Sequence, residues 1–216
     1  MAKGDSTDIL MMFVRDRQPI RGESSSELDM PGRPRNSLLK GFKKGHLFEV
    51  DSFTFAVGID DDDDEHRAAA PAAKGRAGKT GHSTTGGFKR WRMGGRPAAK
   101  KYPVDIQPIR FSRAIDRASS VLLQNCVDCA TYDSATLVKR KSAGSAAAGE
   151  PYLRFDFNGV LMTGIDWSND DQVKESCSFI CRSVTVHYRP QMPDGTLGAI
   201  VPGFWSMLPW ERPVVL

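Results

Sequence analysis

Apolar and polar positions alternate with a period of two along much of this 216-residue chain, and the alternation repeatedly slips by one residue. From Tyr152 to Ile165 the apolar set is Leu153, Phe155 and Phe157, then Val160 and Met162. From Glu175 to Tyr188 it is Cys177, Phe179 and Cys181, then Val184, Val186 and Tyr188. His46 to Ile59 behaves alike, with Phe48 and Val50 followed by Phe53, Phe55, Val57 and Ile59. Successive side chains on a strand point to opposite faces, so a slip of parity requires an extra residue in a bulge or a bend. In the third segment that irregularity is expected near Asp51–Ser52. Long strands that change face near their middle suit a strongly curved sheet or barrel. The alternative is a pair of short strands at each place.

Asp8 to Val14 is a short apolar run that predicts a first strand, and Val104 to Phe111 and Thr136 to Arg140 supply further strand candidates. Between the last two, Asp116 to Cys129 predicts the helix, with Ala118, Leu122, Cys126 and Cys129 forming its apolar face. Arg15 to Gly45 is polar and punctuated by Pro19, Pro31 and Pro34, which predicts a long loop. No solenoid-period repeat is evident. The predicted class is mainly β: a curved antiparallel β-barrel or two-sheet sandwich with one α-helix packed on it. One domain over residues 1–216 is expected, with extended loops at 22–45 and 60–102 and an irregular tail at 189–216.

The order of these segments resembles the haemolysin-coregulated (Hcp) family of type VI secretion. Ile20-Arg21-Gly22-Glu23-Ser24 stands where the family has a Lys-Gly-Glu-Ser-type turn, and Phe48-Glu49-Val50-Asp51-Ser52-Phe53 resembles its second strand. Phe111-Ser112-Arg113-Ala114-Ile115-Asp116-Arg117-Ala118-Ser119, followed by Leu122, Leu123 and Cys126, is similar to its Phe-Thr-Lys-x-x-Asp-x-Ala-Ser stretch and helix. Ala135-Thr136-Leu137 with Arg140-Lys141 resembles an Ala-Thr-Leu-x-x-Arg-Lys strand. The stretches 150–162 and 175–191, Pro193-Asp194-Gly195 and Trp205 have counterparts as well. Each motif alone is weak; their shared order across nearly the whole chain carries the resemblance. Departures are the enlarged 22–45 and 60–102 loops and a proline-rich end after Trp205. The resemblance implies a homohexameric ring whose copies stack into a hollow tube, inside a contractile sheath and capped by a spike, with effectors in the lumen. A phage-tail-like tube protein is the nearest alternative, and a basic nucleic-acid-binding β module the alternative from another class.

Composition adds modest constraints. The apolar share is 40%, diluted locally by two polar, Gly-rich stretches, and the net charge of +4 is weak evidence for an acidic partner. The first ten residues contain no apolar signal region, and no window reaches the length of a membrane span. Synthesis in the cytoplasm and export without a cleavable signal peptide are therefore expected, with no membrane insertion.

Candidate chemistry is sparse. Ala73 to Thr80 nearly reads as a phosphate-binding P-loop, but Ala73 replaces the first glycine and no apolar strand precedes it. Cys126, Cys129, Cys177 and Cys181 have a superficial zinc-like spacing, yet they fall on apolar stripes, where cysteine behaves as a small hydrophobe. His46, His66, His82 and His187 match no ligand spacing, Gly144-Ser145-Ala146 lacks the flanks of a nucleophile elbow, and Asp170 and Asp171 read as solvated turn carboxylates. No catalytic residue, cofactor, metal or nucleic-acid partner is assigned.

Asp60 to Asp64 with Glu65 form an acidic block, followed between Arg67 and Lys101 by ten Lys or Arg and no acid. Phe88, Trp91 and Tyr102 interleave with the cations. The pattern fits a nucleic-acid arm, a disordered surface loop, or an arm that docks on a neighbouring subunit. The acidic root would repel phosphates, and docking is preferred. The ring-stacking candidates are Asp60, Asp62, Asp64, Arg76, Lys79, Phe88, Lys89, Arg90, Trp91 and Arg92.

Overall fold

The computed structural model describes residues 8–24, 26, 37–42, 44–59, 104–141, 149–169, 172–193, 196–208 and 213–214. The chain divides into two compact units, Met1–Ala56 with Gln107–Leu216, and Val57–Ile106. The elements in chain order are β1 (Ile9–Arg15), β2 (Gln18–Pro19), a 3-10 turn (Ser37–Leu39), β3 (Phe48–Glu49), β4 (Ser52–Thr54), β5 (Val57–Ile59) and β6 (Val104–Ile106). They continue with β7 (Ile109–Ala114), α1 (Arg117–Val127), β8 (Thr131–Arg140), β9 (Pro151–Asn169), β10 (Val173–Tyr188) and β11 (Val201–Ser206). In the smaller unit β5 and β6 form an antiparallel pair, Val57 opposite Ile106 and Ile59 opposite Val104.

The larger unit is one antiparallel sheet in the order β2-β1-β8-β9-β10-β7-β4, with β3 also paired to β1 and β11 to β10. β10 is shared along its length: Lys174–Phe179 pairs with β7, and Ser183–Tyr188 pairs with β11. The segment between Phe48 and Thr54 changes partner midway. β3 bonds β1 while β4 bonds β7, and the handover is made by Val50 N–H to Ile9 O (3.0 Å) and Asp51 N–H to Ser112 O (2.8 Å). The irregularity expected near Asp51–Ser52 is therefore a full break, and the expected bent strand is a series of short ones. No β1–β7 ladder occurs among the described residues. Among the described residues the sheet stays open there, and this crossing segment makes the backbone bonds to both sides.

The other two face changes occur inside continuous strands, β9 of 19 residues and β10 of 16. Buried positions on β9 pass from Phe155 and Phe157 to Val160 and Met162, and on β10 from Cys177, Phe179 and Cys181 to Val184. The pairing Cys181–Val160 and Ser183–Asn158 sets Arg182 opposite Gly159, and the pairing Tyr132–Val160 and Ser134–Asn158 sets Asp133 on its other side. On β8 the core-facing residues likewise change from Tyr132 to Ala135 and Leu137. Three neighbouring strands thus switch face along one line, Asp133–Gly159–Arg182, without losing register. Gly159 takes φ +58°, a left-handed conformation that a side chain disfavours. A separate register shift lies between Ser178 and Phe179, where Thr163 is the extra residue of β9.

Phe13 sits at the centre of the core, with ring centroids 5.0 Å from Tyr132, 5.7 Å from Phe48, 5.9 Å from Phe179 and 6.1 Å from Phe111. Phe157 extends the cluster edge-on to Phe179 at 5.2 Å. β1 is buried on both faces. Met11 and Phe13 belong with the aromatic side, while Leu10 and Met12 pack with Leu39, Phe42, Leu47 and Val138 beneath the 37–47 segment. The loop expected across 15–45 thus supplies part of a second apolar layer.

α1 starts where Asp116 caps it. The Asp116 carboxylate accepts from Ala118 N–H at 2.8 Å, and Ser119 Oγ accepts from Asp116 N–H at 3.2 Å, a reciprocal box. It ends at a left-handed Cys129, φ +51°, with Cys129 N–H bonded to Cys126 O and Ala130 N–H to Asn125 O. The apolar face predicted for this helix needs correction. Ala118 and Leu122 are buried as expected, but Cys126 is only half-buried and Cys129 is exposed beyond the last turn. The buried stripe is completed by Ser119 and Asn125. Both are polar and invisible to an apolar-spacing argument, and they are buried because each has a hydrogen-bond partner.

Candidate functional site

The densest polar constellation is a junction where the Gly22–Ser24 segment, β3, the end of β7 and the start of α1 meet. Gly22 passes so close to the 47–48 backbone that a Cβ there would lie 2.0 Å from Leu47 O, so only glycine fits. Ser24 N–H then bonds Leu47 O, Ser24 Oγ donates to Glu49 Oε1 (3.0 Å), and Glu23 pairs with Arg117 at 3.1 Å. Arg113 lies beneath, fully buried, its guanidinium 4.5 Å over the Phe48 ring. It contacts Glu175 Oε2 at 2.8 Å and the Asp116 carboxylate at 2.9 Å. Ser119 Oγ accepts from Arg113 and donates to Glu175, both at 2.8 Å, while Trp167 Nε1 donates to the other Glu175 oxygen at 3.3 Å. Two buried charges are tolerated because each is paired and hydrogen-bonded. Chemically the junction is a clamp fixing α1 to β7 and β10.

A second buried cluster faces the opposite side of the sheet. Arg154 makes two 2.7 Å contacts with Asp156 and donates to Leu38 O (3.0 Å) and Lys40 O (2.7 Å), tying the 37–40 turn to β9. Thr136 Oγ1 donates to Asp156, and His187 Nε2 stands 3.6 Å from it. Burial holds the His187 pKa below the ordinary histidine value; Asp156 opposes that shift and Arg154 reinforces it. Burial likewise pushes the Tyr132 hydroxyl up to about 12 and raises the Cys177 thiol, which the Glu175 charge raises further.

These groups are structural in their geometry. The cysteines at 126, 129, 177 and 181 are all free thiols, and among the described residues no group of three or more His, Cys, Asp or Glu is placed to hold a metal ion. A cleft of about 540 Å³ opens at the ends of β8, β9 and β10, where Lys139, Arg140, Lys141 and Arg189 gather around Tyr152 and Tyr188. Its described lining contains no serine, cysteine or histidine nucleophile.

The exposed apolar residues point to association. On α1, Val121, Leu123 and Val127 face solvent with neighbouring Ile115; at the β9–β10 hairpin, Trp167 and Val173 do so. β11 bonds only β10 among the described residues and carries exposed Val201 and Phe204. An unpaired strand edge with apolar side chains invites pairing with another chain unless assembly covers it.

All ten ring-stacking candidates, Asp60 through Arg92, lie outside the described residues, as do the P-loop-like stretch, Gly144-Ser145-Ala146, Asp170 and Asp171, and the counterparts Asp194 and Gly195. Sequence reasoning missed the Arg113–Glu175 and Arg154–Asp156 pairs. The available signal was a charged residue at an inward position of an alternating strand, as Glu175 is beside Cys177 and Phe179.

A family model described as "Type VI secretion system effector, Hcp" matches residues 82–188, a span that includes β7, α1 and β8 to β10. No curated protein matches the chain in sequence. Among solved structures the fold is similar to that of a type six secretion system protein, at 18% identity and TM-score 0.59 over 93% of this chain and 96% of the other. It is also similar to Hcp1 from Salmonella typhimurium, at 18% and 0.54 over 93% and 95%. A type VI secretion system effector from Yersinia pestis matches at 15% and 0.54 over 93% and 100%. At these identities the structural likeness is one of fold; the family rests on the match over residues 82–188. The chain belongs to the Hcp family.

Proposed function

We propose that the protein is a structural subunit of the type VI secretion inner tube: copies close into homohexameric rings, and rings stack into a hollow tube. The supporting observation is the fold match over 93% of this chain. A subunit that presents an open strand edge and an apolar helix face gains by burying both against copies of itself, and a ring leaves no terminal edge. The tube lies within a contractile sheath, is expelled with a spike and carries effector proteins in its lumen. The protein is assembled in the cytoplasm and released with the tube, and it acts as a structural part with no catalytic role or cofactor. The 60–102 segment reaches the next ring, its acidic root complementing the basic arm of a translated copy.

Negative-stain imaging of the purified full-length protein, paired with native mass measurement, tests this reading. Doughnuts with a central hole and a six-subunit mass are expected. A monomer at micromolar concentration and near-physiological salt, retained on DNA in a salt-dependent way, would favour the nucleic-acid-binding alternative.

A further inference from the structure

We infer that Cys126 and Cys129 form a redox-responsive pair, closing into an intrachain disulfide when the protein passes from a reducing to an oxidising thiol environment. The inference rests on local geometry and not on the tube reading. Cys126-Val127-Asp128-Cys129 spans the end of α1, and Cys129 N–H bonds Cys126 O at 3.1 Å. A turn closed in that way brings its end residues within about 7 Å, and a disulfide bridges Cα atoms up to about 6.8 Å apart. Cys129 is exposed and Cys126 half-buried, so an external disulfide reaches the first and the second lies beside it.

A second observation concerns the backbone. Cys129 holds the left-handed position after the helix, φ +51°, where glycine is the usual occupant and a side chain is disfavoured. Keeping a thiol at a strained site calls for a use of that thiol. Cys177 and Cys181 provide an internal contrast, since both are buried in the sheet and the Cys177 thiol is raised by burial. The pair also sits at the carbonyl end of α1. Oxidoreductase Cys-x-x-Cys motifs instead use the N-terminal end, whose partial positive charge favours thiolate. A structural closure therefore fits better than a catalytic one.

The chemistry balances with a low-molecular-weight disulfide as oxidant. The Cys129 thiolate attacks one sulfur of glutathione disulfide, giving a mixed disulfide and one released glutathione thiolate. Cys126 then loses its proton to solvent, attacks Cys129 Sγ and expels the second glutathione. The protein loses two protons and two electrons, and one glutathione disulfide becomes two glutathiones.

The test equilibrates the full-length protein in glutathione buffers from reducing to oxidising, quenches with an alkylating reagent, and reads intact mass and peptide maps. The expected oxidised product is the protein lighter by two hydrogens, with a Cys126–Cys129 linkage and Cys177 and Cys181 still thiols. Cys129→Ser, at an exposed position, should fold normally, as circular dichroism checks, and show no such loss. A persistent glutathione adduct on Cys129, a Cys126–Cys177 linkage, or a chain-to-chain disulfide overturns the inference. So does a peptide map with all four thiols alkylated at the oxidising end. Failure of ring formation in the imaging experiment leaves these readouts untouched, so the two ideas fail separately.

Discussion

Glu175 holds Arg113 in a fully buried contact of 2.8 Å, joining the strand after the β9–β10 hairpin to the end of β7, three residues before the cap of α1. Removing Arg113 leaves Glu175 buried without a cationic partner, which costs about 3–5 kcal/mol, whereas removing Glu175 leaves Arg113 its 2.9 Å contact with Asp116 and costs less. Arg113→Met should lower the unfolding free energy by that order, and Glu175→Leu by less. The double variant should be less destabilised than the sum of the two, because no orphan charge remains. A double-mutant cycle from urea unfolding checks this, and simple additivity would show that the pair is not coupled.

His187 should make stability fall in mildly acidic solution. Its folded pKa lies below the ordinary histidine value, with burial the first cause. The unfolded chain therefore binds the proton first as pH drops below about 6.5. Between that value and the lowered folded pKa the unfolded state is favoured progressively more, and above about 6.5 the effect vanishes. A His187→Gln variant should show a flatter stability–pH curve than the parent between about pH 5 and 7. Parallel curves would remove His187 as the cause.

Gly159 should not tolerate a side chain. At φ +58° an alanine costs about 1–2 kcal/mol, and its Cβ would stand 3.1 Å from the Arg182 Cβ across the crease. Gly159→Ala should unfold earlier in denaturant by that amount. Gly22→Ala should do worse, because its Cβ would meet Leu47 O at 2.0 Å and displace the Glu23–Ser24 segment from the clamp. Thermal melts of the two variants against the parent rank them.

Deleting Arg67 to Lys100 should shorten tubes while leaving rings intact. The segment carries most of the basic arm, and an exposed ion pair contributes only about 0.2–1 kcal/mol. Repeated around a ring, such contacts act together. Screening over about 8 Å at physiological salt means that raised salt should shorten parental tubes in the same way. Tubes of parental length from the deletion variant across a salt series would assign the segment no part in stacking.

The alternation in the sequence located β1, β7, β9 and β10, their antiparallel class and the face changes within β9 and β10, but it missed β11 in the expected irregular tail of 189–216 and read the separate strands β3 to β5 as one bent strand. Period-two patterning is local, and parity slips such as Phe157 to Val160 survive in any tertiary setting. The spacing of Ala118 and Leu122 likewise located the helix, since apolar periodicity acts within a few residues. What only the tertiary structure decided is how those slips combine. Asp133, Gly159 and Arg182 line up because three strands pair in one register, and nothing along the chain records that alignment. The burial of Arg113, Glu175, Arg154 and Asp156 was equally hidden: a charged side chain enters the interior only when its partner arrives from a distant segment. The exposure of Cys129 escaped for a related reason. Helical spacing continues on paper past Val127, whereas the left-handed residue that ends α1 turns the next thiol out to solvent.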